Sequence, residues 1–170
     1  MIIVSDTTPL RYLIEIEEVH ILQKLFGRVI IPEKVSEELQ RPKTPKKVKD
    51  LIQSHPVWLE VRKADISLFT TIKKIDQGEH EAFALALELK ADAVLLDDKA
   101  AATEAARHNI LVIPTFTILE RASADNLIDL PGTVDAMRQT SFRLPAEEEI
   151  AAMLERDARR KTQRWEQGPQ

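Results

Sequence analysis

The sequence contains no cysteine, which rules out disulfide bonds and thiolate-held zinc within the chain. It has no run approaching the roughly eighteen consecutive apolar residues that a membrane-spanning helix needs. No basic segment precedes an apolar one at the amino terminus, and Asp6 interrupts the first apolar run too early for a secretory signal. An excess of positive charge is also missing: 24 Lys and Arg stand against 28 Asp and Glu, a net charge of −4. That balance argues against a protein that coats nucleic acid by charge alone, but not against an enzyme that meets it through bound metal ions. His20, His55, His80 and His108 show no ligand spacing, and there is no internal repeat. The expectation is a cytoplasmic protein with no membrane partner.

What is present is an ordinary globular composition. The 170 residues are 44% apolar and 31% charged, enough for one domain with a substantial core. Short apolar runs predict strands at Ile2–Val4, Val29–Ile31, Val57–Val61, Ala93–Leu96 and Ile110–Ile113. Helical spacing is predicted from Thr8, as an N-cap before Pro9, to about Phe26, with a kink near Glu17-Glu18 and Gly27 as the stop. Further helices are predicted over Pro32–Leu39, Pro45–Ser54, Asp65–Ile75, Glu79–Lys90, Lys99–His108, Thr115–Asp125 and Gly132–Gln139. A last amphipathic helix, Pro145–Arg164, is acidic at its start and basic at its end, as the helix dipole favours. The alternation of strands and helices specifies an α/β fold with a mainly parallel sheet.

Two of the apolar runs end in acids. Met1-Ile2-Ile3-Val4-Ser5-Asp6 leads into one helix start and Ala93-Val94-Leu95-Leu96-Asp97-Asp98 into another. In open α/β sheets the ligand crevice lies outside the carboxyl ends of the strands, where acids suit a divalent metal. Helix capping is the plain alternative for each, and Asp98 is placed to cap the helix at Lys99. Glu38 lies three residues from Val35, at the edge of an apolar helix face; a solvated Glu is its plain alternative. Glu79, a first-turn residue that could simply complement the helix dipole, shares a face with Ala82, Phe83 and Ala86. Between Arg41 and Lys49 stand five basic residues (Arg41, Lys43, Lys46, Lys47 and Lys49) and no acid, either a solvated face or a phosphate-contacting strip.

Taken together, Val4-Ser5-Asp6-Thr7-Thr8-Pro9-Leu10, Ile31-Pro32-Glu33-Lys34-Val35-Ser36-Glu37-Glu38-Leu39, Gly78-Glu79-His80-Glu81-Ala82 and Leu95-Leu96-Asp97-Asp98-Lys99 resemble, in order and spacing, the PIN-domain family. The resemblance is greatest to its branch of small stand-alone proteins, and it covers roughly residues 1 to 145. It implies a three-layer α/β/α fold around a five-stranded parallel sheet, with a Mg2+- or Mn2+-dependent ribonuclease site. In this family such a site often belongs to the toxin of a toxin–antitoxin pair. The implied catalytic acids are Asp6, Glu38, Glu79 and Asp97 or Asp98; the metal ligands are drawn from Asp6, Glu79, Asp97 and Asp98. Thr8 stands where the family has a small supporting hydroxyl residue. Lys99 stands near the place of the family's usual arginine, and Pro114 where this branch often has glycine.

The chemistry expected of that site follows from its donors. Hard oxygen ligands suit Mg2+ or Mn2+, which share oxygens with a substrate phosphate, and water can attack without a nucleophilic side chain. The expected organisation is a nuclease domain over residues 1–144 and a helical extension over residues 145–170 with a disordered end. Lys46, Lys47, Lys49 and Lys99 are the expected RNA contacts. Ile150, Ala151, Met153, Leu154 and Ala158 form a stripe that predicts a homodimer or a small antitoxin partner, unless the helix folds back on its own chain. Two other readings compete: a non-catalytic PIN-like RNA-binding module, and a receiver-like phosphotransfer domain. The first gains nothing from clustered acids. The second calls for two acids near the first strand, where Asp6 stands alone.

Overall fold

Each of the five apolar runs forms a strand in the computed structural model, which describes residues 1–167. They are β1 (Ile3–Ser5), β2 (Val29–Pro32), β3 (Leu59–Arg62), β4 (Ala93–Leu95) and β5 (Val112–Ile113). All pair in parallel, in the order β3-β2-β1-β4-β5. Every residue of β1, β2 and β4 is buried, whereas the edge strands β3 and β5 are only partly so. This explains why the central strands read as unbroken apolar runs.

Parallel neighbours need crossover connections, and these are right-handed. From β1 the chain steps outward through β2 to β3, then returns across the sheet to β4 and β5. Right-handedness therefore places α1 (Thr7–Glu15), α2 (His20–Phe26), α3 (Glu33–Leu39) and α4 (Lys46–Gln53) on one face. It places α5 (Gln77–Leu89) and α6 (Lys99–Arg107) on the other. The pleat agrees: Val4, Ile30 and Val94 share a buried cluster with Phe83 and Leu85 of α5 and with Ala101 and Ala105 of α6. The result is a three-layer α/β/α arrangement.

Two stretches differ from their predicted form. The helix expected from Thr8 to Phe26 is two helices, broken where Glu17 takes φ +65°. Lys47 spans the break, donating to the Glu15 carbonyl at 2.9 Å and to Glu17 Oε1 at 3.1 Å. The helix expected over Asp65–Ile75 is a single 3-10 turn, Ile66–Leu68, followed by extended chain. Tertiary partners replace the helical hydrogen bonds here. His80 and His108 each bring Nε2 within 2.8 Å of a carbonyl, that of Phe69 and of Thr70 respectively. The Ile72 amide and Thr71 hydroxyl donate to Glu104 Oε2. Phe69, 2% exposed, sits among the rings of His80, Phe83 and His108.

The chain divides into two compact units, Met1–Thr115 and Phe116–Gln170, whereas the sequence reading draws its boundary at 144/145. The second unit comprises most of α7 (Thr115–Ala124) together with α8 (Leu130–Arg138) and α9 (Glu147–Gln167). Its final helix buries Ile150 and Met153, half-buries Leu154 and leaves Ala151 and Ala158 exposed. Arg156 of α9 holds Glu120 of α7 through two contacts, of 2.9 and 3.2 Å. The expectation of a disordered end falls on residues 168–170, outside the described residues. Among those described, no helix is long and apolar enough to cross a membrane.

Candidate functional site

The strand order reverses direction between β1 and β4, so the loops leaving their carboxyl ends diverge and open a crevice. The Asp6 amide donates to the Leu95 carbonyl at 3.0 Å, which sets Asp6 beside the Leu96-Asp97-Asp98 turn. Asp6 occupies the N-cap position of α1, which starts at Thr7 and not after the predicted Thr8 cap; yet its side chain makes no capping hydrogen bond. It is 5% exposed, and its Oδ1 is buried without a partner among the described residues. Burial pushes its pKa up to about 7; the Thr7 amide opposes this, and the charges of Asp76, Glu79 and Glu38 add to it.

Glu79 stands in the first turn of α5, where an Asp-x-x-Glu capping box starts the helix. The Glu79 amide donates to Asp76 Oδ1 at 2.8 Å, and the Asp76 amide donates back to Glu79 Oε2 at 3.0 Å. Its side chain is nearly buried, and burial lifts its pKa to about 7 against the pull of the Asp76 amide. The charges of Asp76, Asp98 and Glu38 push the same way as burial.

Glu38 reaches this helix start from α3. Its Oε2 accepts the Thr7 hydroxyl at 2.6 Å, and its Oε1 accepts Arg41 Nη2 at 3.3 Å. It fits because residue 78 is glycine: a Cβ there would stand 3.0 Å from Glu38 Oε2 and 3.4 Å from Asp76 Oδ1. The hydroxyl that bonds a site carboxylate is thus that of Thr7, one residue before the Thr8 assigned the supporting place from the sequence.

The two adjacent aspartates separate in role. Asp98 caps α6 through the Ala101 amide at 2.8 Å and lies close enough to Glu79 to repel it. Asp97 has both oxygens engaged by Thr115, one by its amide at 2.9 Å and one by its hydroxyl at 2.6 Å. Burial raises the Asp97 pKa while those two bonds oppose the rise. The group brought together is therefore Asp6, Glu38, Asp76, Glu79 and Asp98. Sequence reasoning missed Asp76, which falls between the helices predicted over Asp65–Ile75 and Glu79–Lys90; the Asp-x-x-Glu spacing before an apolar helix was the signal for it.

The basic residues are less uniform than their spacing suggests. Lys46 pairs with Asp50 at 2.6 Å and Lys47 with Glu17. Lys49 and Lys99 make no ion pair among the described residues. An open surface cavity of about 590 Å³ is lined by Thr70, Thr71, Ile72, Glu104, Arg107 and His108, none of them from the carboxylate group. Its one acid, Glu104, is already bonded to Ile72 and Thr71, and the Ile72 amide, its strongest influence, holds its pKa below the usual range.

Among the described residues, no three His, Asp or Glu side chains stand ready-made to hold a metal ion. Asp6 and Glu79, whose pKa values burial raises, are also repelled by the acids around them. The donor chemistry is nevertheless that of a hard divalent cation: carboxylate oxygens only, one of them buried and unpartnered.

A family model described as a PIN domain matches residues 2–158. Among solved structures, a PilT N-terminus domain protein from the hyperthermophilic archaeon Sulfolobus solfataricus P2 is 14% identical. That match has a TM-score of 0.48, over 85% of this chain and 100% of the other, a likeness too distant to carry an argument. No curated protein matches the chain.

Proposed function

This chain belongs to the PIN-domain family, and we propose that it is a divalent-metal-dependent endoribonuclease whose centre is the carboxylate group around Asp6. The observation that carries this reading is the Asp6 Oδ1 atom, buried and unpaired among acids that repel it. An unsatisfied buried polar group costs about 1–3 kcal/mol, more when it is charged. A cation removes that penalty and the repulsion together, which a capping or core aspartate would not require.

Asp6, Glu79 and Asp98 are the residues that would hold the ion, with Asp76 beside them. When bound, Mg2+ or Mn2+ would lower the pKa of an attacking water and stabilise developing charge on the phosphate. The remaining roles belong to the chain itself. Thr7 fixes Glu38 by one oxygen and leaves the other at the rim, and the capping box ties Glu79 to the start of α5. Thr115, at the start of α7, holds both oxygens of Asp97 and so braces the Asp97-Asp98 turn. The choice of RNA as substrate, and the reading as a cytoplasmic toxin with a small protein antidote, follow from the family resemblance.

The direct test is cleavage of a fluorogenic single-stranded RNA by purified protein in Mn2+ or Mg2+, beside the same reaction in EDTA and an Asp6→Asn variant. Cleavage with metal and none in the two controls is the expected result. RNA that is bound but never cut makes the chain a binding module. For the toxin role, induced expression should arrest growth with the parent sequence and spare it with Asp6→Asn.

A further inference from the structure

Arg41 is the one cation paired with the carboxylate group among the described residues, through Nη2 at 3.3 Å from Glu38 Oε1. The pair is lopsided. The Glu38 side chain is 12% exposed and that of Arg41 62%, so the guanidinium lies at the surface over a nearly buried acid. A charge-assisted bond prefers about 2.7–2.9 Å, and arginine usually grips a carboxylate with two parallel contacts. This one is long and single, and an exposed pair of that kind holds weakly.

Neither partner depends on it. Glu38 is kept in place by the Thr7 hydroxyl at 2.6 Å. The Arg41 backbone is fixed separately: its amide donates to the Glu38 carbonyl at 3.3 Å, and its carbonyl accepts the Thr44 amide at 3.0 Å. Buried Thr44 also donates its hydroxyl to the Glu38 carbonyl. Arg41 is thus an exposed side chain on an anchored stem, held to the acidic group by a single long contact. Two other cations of that run are committed elsewhere, Lys46 to Asp50 and Lys47 to Glu17.

We propose that Arg41 is a substrate-positioning residue, which gives up Glu38 for a backbone phosphate oxygen of RNA once a cation occupies the centre. Among the described residues the Arg41 guanidinium is the cation paired with these acids; with an ion bound it would be free to leave Glu38, and its planar fork suits two phosphate oxygens. This inference rests on the nuclease reading above. It has two consequences: Arg41 competes with metal in the free protein and cooperates with it on RNA.

The experiment compares the parent chain, Arg41→Gln and Arg41→Lys by titration with Mn2+ alone in a calorimeter and by steady-state cleavage of single-stranded RNA at several salt concentrations. Arg41→Gln should bind Mn2+ a few-fold tighter, because a competing cation is gone. It should raise KM several-fold with kcat nearly kept, and flatten the plot of log kcat/KM against log salt by about one. Arg41→Lys should keep the salt slope but not the KM, having the charge without the fork. If Arg41→Gln binds Mn2+ more weakly and keeps the parental slope, Arg41 is only a strut for Glu38 and the proposal is wrong. A parent that cuts RNA beside an Arg41→Gln chain of unchanged KM and slope overturns this inference and leaves the nuclease reading intact. A parent that cuts nothing with metal overturns both.

Discussion

Asp6 and Asp157 are buried to nearly the same degree, 5% and 2% exposed, in opposite surroundings. Asp157, on α9 of the second unit, accepts the Ser123 hydroxyl at 2.7 Å and Lys161 Nζ at 2.8 Å, with Arg160 at 3.7 Å. Burial by itself would raise its pKa, but the bonds from Lys161 and Ser123 and the charges of Lys161 and Arg160 hold it below the usual carboxylate range. Among the described residues Asp6 has no cation and one unpartnered oxygen, and burial pushes its pKa up to about 7. The chain can evidently neutralise a buried acid with residues three and four positions along a helix. At Asp6 it does not. Burial alone marks neither residue as functional; burial without a partner singles out the one at the strand end.

The sharpest test of that contrast is Asp6→Asn. It should reduce metal-dependent RNA cleavage by more than about 100-fold, since loss of even an outer-shell partner costs about 10–100-fold. In EDTA at pH 8 the same variant should melt several degrees above the parent, because one of the repelling charges is gone. A lower melting temperature would make Asp6 a structural acid and erase the difference from Asp157.

The pH dependence of stability comes next. Asp6 and Glu79 have folded pKa values near 7 against ordinary values of 3.8 and 4.5, so between those limits the folded state binds more protons than the unfolded one. Metal-free stability should therefore fall as pH rises from about 4 to 7. Asp157 has the opposite sign: its contribution is present above the unfolded pKa of 3.8 and is lost as pH falls through its lowered folded value. Urea melts in EDTA across pH 3–8 should show both arms. Mn2+ should flatten the neutral arm alone.

Asp157→Asn should cost about 1–3 kcal/mol, the worth of hydrogen bonds to a charged group, with RNA cleavage at the parental rate. If it also removed cleavage, the two aspartates would belong to one system. The smallest effect is expected from replacing Lys46 and Lys47 together with Gln. Their pairing to Asp50 and Glu17 predicts a salt dependence of RNA cleavage close to the parent's, while Lys49 and Lys99 should each lower the slope by about one. A fall of about two in the Lys46-Lys47 variant would restore those residues to the substrate path.

The sheet was legible because its central strands are buried on both faces, so Ile3-Val4, Val29-Ile30-Ile31 and Ala93-Val94-Leu95 carry no polar interruption. Acids closing such runs are conspicuous, which is how Asp6, Asp97 and Asp98 stood out. Glu38 and Glu79 needed the motif order as well as helical phase. What escaped depends on contacts remote in sequence. The apolar spacing of Ile66, Phe69 and Ile72 imitates a helix, and only Glu104, His80 and His108 reveal why the chain stays extended there. Helical phase could not tell Thr7 from Thr8 as the partner of Glu38, because the start of α1 is set by β1 pairing and not by Pro9. Lys47 read as free charge for a similar reason, Glu17 being thirty positions away, whereas the partner of Lys46, Asp50, stands only four residues on and was legible as a helical pair.

Gly78 offers a way to separate shape from charge in this molecule. Alanine there would leave every acid in place and would favour the helix by up to about 1 kcal/mol. Its methyl group would nevertheless stand only 3.0 Å from Glu38 Oε2, and the carboxylate would have to retreat by a few tenths of an ångström. A Gly78→Ala chain should thus fold at least as firmly as the parent, carry the same net charge, and work less well. Residue 78 acts as a spacer gauge: its emptiness sets how near α3 can bring its acid to α5, a dimension that no count of carboxylates records.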